Sequence, residues 1–131
     1  LSGTQEEIAK RQNLHKIYDK ALESANLTKP RVQHKAFAWN HSYYPVLLPD
    51  EATLLRVMLR LAEQNIYPRR YFYPSLNTLE YLRPEWRISC PVSENTASRV
   101  LCLPVHGDLS PDIAETVSKL LTAELLSSTS L

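Results

Sequence analysis

The chain has 131 residues, enough for one domain and too few for two of ordinary size. Its 15 Lys and Arg against 14 Asp and Glu leave a net charge of +1, which gives no electrostatic reason for nucleic acid or an anionic membrane as partner. No apolar run approaches the roughly 20 residues that cross a bilayer, and the polar start Leu1-Ser2-Gly3-Thr4-Gln5-Glu6-Glu7 is wrong for a signal peptide, so a cytoplasmic protein is expected.

A helix is predicted from Thr4 to Ala25, with Thr4 and Glu7 as a capping box and Ile8, Leu14, Ile17, Tyr18, Ala21 and Leu22 as its apolar stripe. Asn26 and Lys29-Pro30 stop it. An irregular connection follows over Val32 to Asn40, then an aromatic and β-branched strand from Ser42 to Leu48 with Pro45 favouring an edge. Asp50 caps a second helix whose buried face is Leu54, Leu55, Val57, Met58, Leu61 and Ala62, and Asn65 suits the left-handed position after it.

Ile66 to Tyr73 reads as a second strand, and Pro74 to Arg87 as a loop rich in proline and aromatics. A short helix over Pro91 to Arg99, capped by Ser93, leads into a third strand, Val100 to Leu103. Ser110-Pro111-Asp112 starts the last helix, with Ile113, Val117, Leu120, Leu121 and Leu125 inward and a fraying tail from Ser127. These elements predict an α/β (α+β) fold: a small open sheet of about three strands flanked by helices. The chain is one domain, 1–131, with a leading helix over 1–25 and a small α/β body over 42–126.

Cys90 and Cys102 are too few for a disulfide framework and read as free thiols. His15 sits on a helix and is expected to be solvated, and no His pair has ligand spacing. The densest chemistry lies in Tyr67-Pro68-Arg69-Arg70-Tyr71-Phe72-Tyr73-Pro74-Ser75-Leu76-Asn77. Arginine offers a bidentate fork for phosphate or carboxylate, and tyrosine a flat apolar face with a hydroxyl for a sugar or base. On a strand, Tyr71 and Tyr73 would share one face, and Arg70 and Phe72 the other. The same stretch also reads as a structural strand with exposed arginines.

Three stretches, in order, resemble the C-terminal region of the DegT/StrS family of sugar aminotransferases. They are Ser42-Tyr43-Tyr44-Pro45-Val46-Leu47-Leu48 with the helix after it, Asn65 through Asn77, and Cys90-Pro91-Val92-Ser93-Glu94 through Leu101-Cys102-Leu103-Pro104 to Asp112-Ile113. Arg11 and Tyr18 fit the family's leading helix. The likeness covers nearly the whole chain and looks most like members that aminate a nucleotide-linked 3-keto-6-deoxyhexose.

The resemblance implies the small C-terminal domain of a fold-type I aminotransferase, whose larger domain carries the Schiff-base lysine. The resemblance further implies pyridoxal phosphate as cofactor, glutamate as the typical amino donor and an active site at a homodimer interface. The leading helix would pack on the larger domain, leaving its apolar face partly exposed here. None of Lys10, Lys16, Lys20, Lys29, Lys35 and Lys119 matches a Schiff-base motif, only Gly3 and Gly107 are glycine, and residue 1 is Leu; a fragment inactive alone is expected. By the same resemblance Arg70 takes the place of the family's arginine, Tyr73 its tyrosine and Asn77 its histidine, with Tyr71 and Ser75 beside them. Asn40 and Tyr43 would line the same substrate mouth. The alternative is a stand-alone, non-catalytic binding domain that kept this fold.

Overall fold

The structure, a computed structural model, describes residues 2–30 and 38–129. Most of the expected irregular connection, together with Lys35, lies outside the described residues. Helix α1 spans Ser2–Ala21 and a 3-10 turn, Glu23–Ala25, follows it, closed by Asn26 in the left-handed region (φ 50°). Strand β1 is Tyr44–Leu47, α2 Glu51–Ala62, α3 Pro91–Arg99, β2 Val100–Leu103 and α4 Pro111–Thr129. Two further 3-10 turns, Leu76–Thr78 and Pro84–Trp86, lie in the long segment between α2 and α3.

The local signals for α2 are realised. Asp50 Oδ1 accepts the Thr53 N–H at 2.7 Å, and Asn65 takes φ 58° as the chain leaves the helix. Two caps differ from expectation. Thr4 lies inside α1, and Glu7 reaches forward to Gly107 instead of back to a helix start. In α3 the cap position is Cys90, whose N–H the Glu94 carboxylate accepts at 2.8 Å; Ser93 sits within the first turn.

β1 and β2 pair antiparallel, Tyr44 opposite Leu103 and Val46 opposite Leu101. Those four side chains are buried on one face, because paired residues of an antiparallel ladder point the same way. The expected third strand is reduced to one bridge, Arg69 with Cys102, on the outer edge of β2, and Thr28 bridges Leu47 on the outer edge of β1. Pro68 has no N–H to extend the pairing, and beyond Arg69 the chain turns away, with cis peptide bonds at Tyr71-Phe72 and Tyr73-Pro74.

Over that face lies the core. α4 packs against both α1 and α2. It contributes Ala114, Val117, Leu121 and Leu125, α2 contributes Leu54, Val57 and Leu61, and α1 contributes Leu14 and Tyr18, with Leu22 four residues on, just past its end. The apolar stripe expected to be partly exposed is so at Ile8, Ile17 and Ala21, and is closed at Leu14, Tyr18 and Leu22. They are buried within the domain, and the Tyr18 hydroxyl donates to the Pro104 carbonyl at 2.8 Å.

Candidate functional site

The segment after α2 builds the candidate site from its backbone outward. Arg69 exchanges both backbone hydrogen bonds with Cys102, at 3.2 and 2.8 Å, and so is fixed to the sheet edge. Its neighbour Arg70 folds under the segment. One Arg70 guanidinium nitrogen donates to Glu51 Oε1 at 2.8 Å and to the Ser98 carbonyl at 3.1 Å, and the guanidinium carbon lies 3.5 Å from the Tyr73 ring centre. The Arg70 side chain is 14% exposed, and its Nε is buried without a partner.

Ser75 and Asn77 tie the following loop to α3. The Ser75 hydroxyl donates to Asn77 Oδ1 at 2.6 Å and so accepts from Ser93, also at 2.6 Å. Asn77 Nδ2 donates to the Ile88 carbonyl at 2.9 Å and to Glu94 Oε1 at 2.7 Å, which occupies both amide hydrogens. The Cys90 N–H foremost, then the Asn77 amide, holds the Glu94 carboxyl below its usual range. Asn40 is exposed and caps its own turn, its side-chain oxygen accepting the Ser42 N–H at 3.1 Å.

Of the seven expected site residues, Tyr43, Tyr71 and Tyr73 present exposed rings. Tyr43 and Tyr71 meet edge to face at 5.5 Å, while Tyr73 is stacked on Arg70. The strand-like alternation of faces is absent because residues 70–74 are not extended in a sheet. Phe72, Leu76, Tyr81, Trp86, Ile88 and Val92 are also exposed, which makes this loop region broadly apolar at its surface.

Between the 65–71 segment and the turn after β2 opens a cleft of about 460 Å³. Tyr43, Tyr67, Arg69, Tyr71 and His106 line it over a floor of Cys102, Leu103 and Pro104. Burial raises the Cys102 pKa, partly offset by a hydrogen bond with the Tyr71 backbone, so it is a poor nucleophile. Cys90 is exposed, and both thiols are free. Among the described residues no lysine and no carboxylate lines the cleft. It therefore does not fit pyridoxal phosphate, which takes an amine for its aldehyde and an acid for its ring nitrogen.

A second polar cluster was not legible beforehand. His15 is 4% exposed, not solvated, and stands 4.7 to 4.9 Å from the rings of Trp39, His41 and Tyr44. Burial holds it below the usual imidazole value, with His41 adding to this. Beside it, Asp19 accepts from Lys29 Nζ at 2.8 Å and from the Tyr44 hydroxyl at 2.7 Å. Desolvation raises the Asp19 pKa, but these two hydrogen bonds outweigh it and the net shift is downward. The cluster fills itself with its own cation and is read as structural.

The fold is that of the small α/β domain of sugar aminotransferases. It overlays the aminotransferase TlmJ from Streptoalloteichus hindustanus with a TM-score of 0.80 at 24% identity, covering 95% of this chain and 33% of that one. It overlays DesI, solved in the presence of its TDP-sugar product, with a TM-score of 0.76 at 27% identity, over 95% of this chain and 34% of DesI. The chain belongs to the DegT/DnrJ/EryC1/StrS aminotransferase family, whose model matches residues 1–122.

Among curated proteins it is 42% identical over 79 residues to a dTDP-4-amino-4,6-dideoxy-D-glucose transaminase of Shigella dysenteriae, covering 58% of this chain and 22% of that protein. It is 33% identical over 91 residues to an Escherichia coli transaminase of the same name, covering 66% and 24%. The chain thus spans under a quarter of the length of these relatives. Their names put the amino group at position 4 of the sugar, not the position 3 expected from the sequence.

Proposed function

We propose that this chain is the C-terminal part of a pyridoxal-phosphate-dependent transaminase that moves an amino group from glutamate to a nucleotide-linked keto-deoxysugar. The observation that carries this reading is the family match over residues 1–122, together with the 42% identity to a dTDP-sugar transaminase. The remaining polypeptide supplies the cofactor, the Schiff-base lysine and the acid for the ring nitrogen. The enzyme acts as a cytoplasmic homodimer, and this chain alone is inactive.

In that enzyme the chain is one wall of the substrate cleft. Asn40, Tyr43, Tyr71 and Tyr73 offer the sugar their exposed polar-aromatic surface. Arg70, Ser75 and Asn77 act from beneath, holding that surface to α2 and α3 through the Glu51, Ser93 and Glu94 contacts. The shallow apolar groove between α1 and α4, with Ile17, Ala21 and Ala123, seats the larger domain.

A graft tests the reading. The chain replaces the matching segment of the Shigella dysenteriae transaminase, and turnover of a dTDP-linked 4-keto-6-deoxyhexose with glutamate is measured. Activity well above that of the same enzyme lacking its C-terminal segment is expected. A folded, cofactor-loaded graft with no turnover of any nucleotide-linked keto-sugar would sink the reading.

A further inference from the structure

His15 on α1 is the hub of a contact that joins the helix, the segment before β1 and β1 itself. Its ring stands 4.7 Å from Trp39, 4.8 Å from His41 and 4.9 Å from Tyr44, and Trp39 and His41 lie 4.6 Å from each other. Among the described residues no backbone–backbone hydrogen bond ties 38–42 to another element, and the Ser42 N–H is taken up locally by Asn40 Oδ1. His41 stands in the left-handed region at φ 53°, a conformation that an L side chain rarely holds unless its surroundings fix it. The rings are therefore what seats this segment on α1.

The contact has no place for an added proton. His15 Nε2 and His41 Nδ1 are both buried without a partner, and neither bonds the other. The charged and titratable groups around His15 are committed elsewhere. On α1, Asp19 accepts from Lys29 and from the Tyr44 hydroxyl, Arg11 is paired with Glu7, and the Tyr18 hydroxyl donates to Pro104. Lys29, from the segment after α1, is a like charge; His41 comes from 38–42, and Tyr44 from β1 spends its hydroxyl on Asp19. A neutral imidazole carries one N–H and a cationic one two. The second N–H of a charged His15 would be buried with no acceptor, a cost that opening a loosely tied segment removes.

We infer that the Trp39–His41 segment is an acid-operated latch: a proton on His15 detaches Trp39 and His41 from α1 while the helices and the β1–β2 ladder stay in place. The inference goes beyond the transaminase reading and does not depend on it. Burial foremost, then His41, holds the His15 imidazole below 6.5, against the His41 backbone and Asp19. The latched form is therefore complete above pH 6.5 and is lost as pH falls towards the lower value. Asn40 lies within the latch and Tyr43 just beyond it, so mild acid changes how both are presented.

The test uses the 131-residue chain carrying Trp86→Phe, which leaves Trp39 as its one indole. Tryptophan emission and far-ultraviolet circular dichroism are followed from about pH 7.5 to about pH 5, a span around the ordinary imidazole value and above most carboxylate titration. Trp39 emission should move to longer wavelength as pH falls while the helical signal stays constant. His15→Phe keeps a ring and His15→Gln a polar group, and neither takes a proton. In whichever of them folds, the shift should be lost. The inference is overturned if Trp39 emission does not move, or if the shift persists with the same midpoint in a His15 variant. A helical signal that falls together with the shift is unfolding of the whole domain and overturns it equally. Quenching at constant wavelength does so too, because the proton is then held inside, between His15 and His41.

Discussion

Glu7 Oε1 accepts the Gly107 N–H at 2.8 Å across 100 residues of sequence, and the same oxygen accepts Arg11 Nε at 3.0 Å. A Cβ at position 107 would fall 1.8 Å from Glu7 Oε2. Gly107→Ala should therefore push the carboxylate aside, release the turn after β2 from α1, and lower the thermal midpoint. With Glu7→Ala already in place, the same change should cost little more, so the two effects fall well short of additive. The Gly107 N–H foremost, then Arg11, holds the Glu7 carboxyl below 4.5. Its folded pKa is depressed, so the clamp is fully present above pH 4.5 and is lost as pH falls through the lower folded value.

The hydroxyl of Tyr18 is a second tie between α1 and the segment after β2. Burial pushes this phenol well above its ordinary pKa, so it remains a proton donor to Pro104 throughout the neutral range. Tyr18→Phe keeps the ring and leaves the Pro104 carbonyl without that donor. A loss of about 1–2 kcal/mol is expected, read as a lower urea midpoint at unchanged slope. A midpoint equal to that of the parent would mean that water replaces the hydroxyl.

His15 sets a pH dependence of its own. Its folded pKa is below the ordinary 6.5, chiefly through burial and then through His41, with Asp19 opposing and Lys29 reinforcing the shift. Between the folded and unfolded values the unfolded chain binds more protons, so stability rises with pH there. The contribution is complete above pH 6.5 and is lost as pH falls towards the folded value, at higher pH than the carboxylate effects begin. His15→Phe should flatten the thermal midpoint between pH 7 and pH 5, an interval that brackets the ordinary 6.5. An unchanged slope would mean that the imidazole is solvated after all.

Arg70 and Tyr73 form one unit in the grafted enzyme. Tyr73→Ala or Arg70→Ala should raise KM for the keto-sugar about tenfold, a transition-state loss near 1.4 kcal/mol, with pyridoxal phosphate retention unchanged. Because Glu51 holds Arg70 at 2.8 Å, Glu51→Ala should reproduce part of that rise without touching substrate. Unchanged KM in all three variants would remove this stacked pair from the site.

Signals confined to one turn of chain were legible. Asp50, Asn65, the α3–β2 junction and the start of α4 at Pro111 follow the local rules for caps, left-handed residues and helix entry. Signals needing a distant partner were not. Glu7 three residues after Thr4 looks like a capping box until Gly107 takes its carboxylate. His15 looks like a surface residue until Trp39, His41 and Tyr44 close over it.

The 66–73 segment has strand composition, yet only Arg69 pairs; β-propensity measures fit to a half-buried surface, and here Pro68 and the Arg70–Glu51 contact compete with it. In the candidate site the sequence drew attention to residues 67–77 as a polar-aromatic run. It could not say which of two adjacent arginines is occupied, because Glu51 and Ser98 are the deciding contacts.

The two-stranded ladder has a consequence for how copies of this chain meet. A bare strand margin is a template on which a second chain adds and fibres grow. Here each margin is closed by a single crosswise pairing, Thr28 on one flank and Arg69 on the other, and Pro45 withholds a donor in between. At four residues the strands are too short to offer a long run of free donors and acceptors beyond those stoppers, so the domain is built to stay apart from its own kind along that direction.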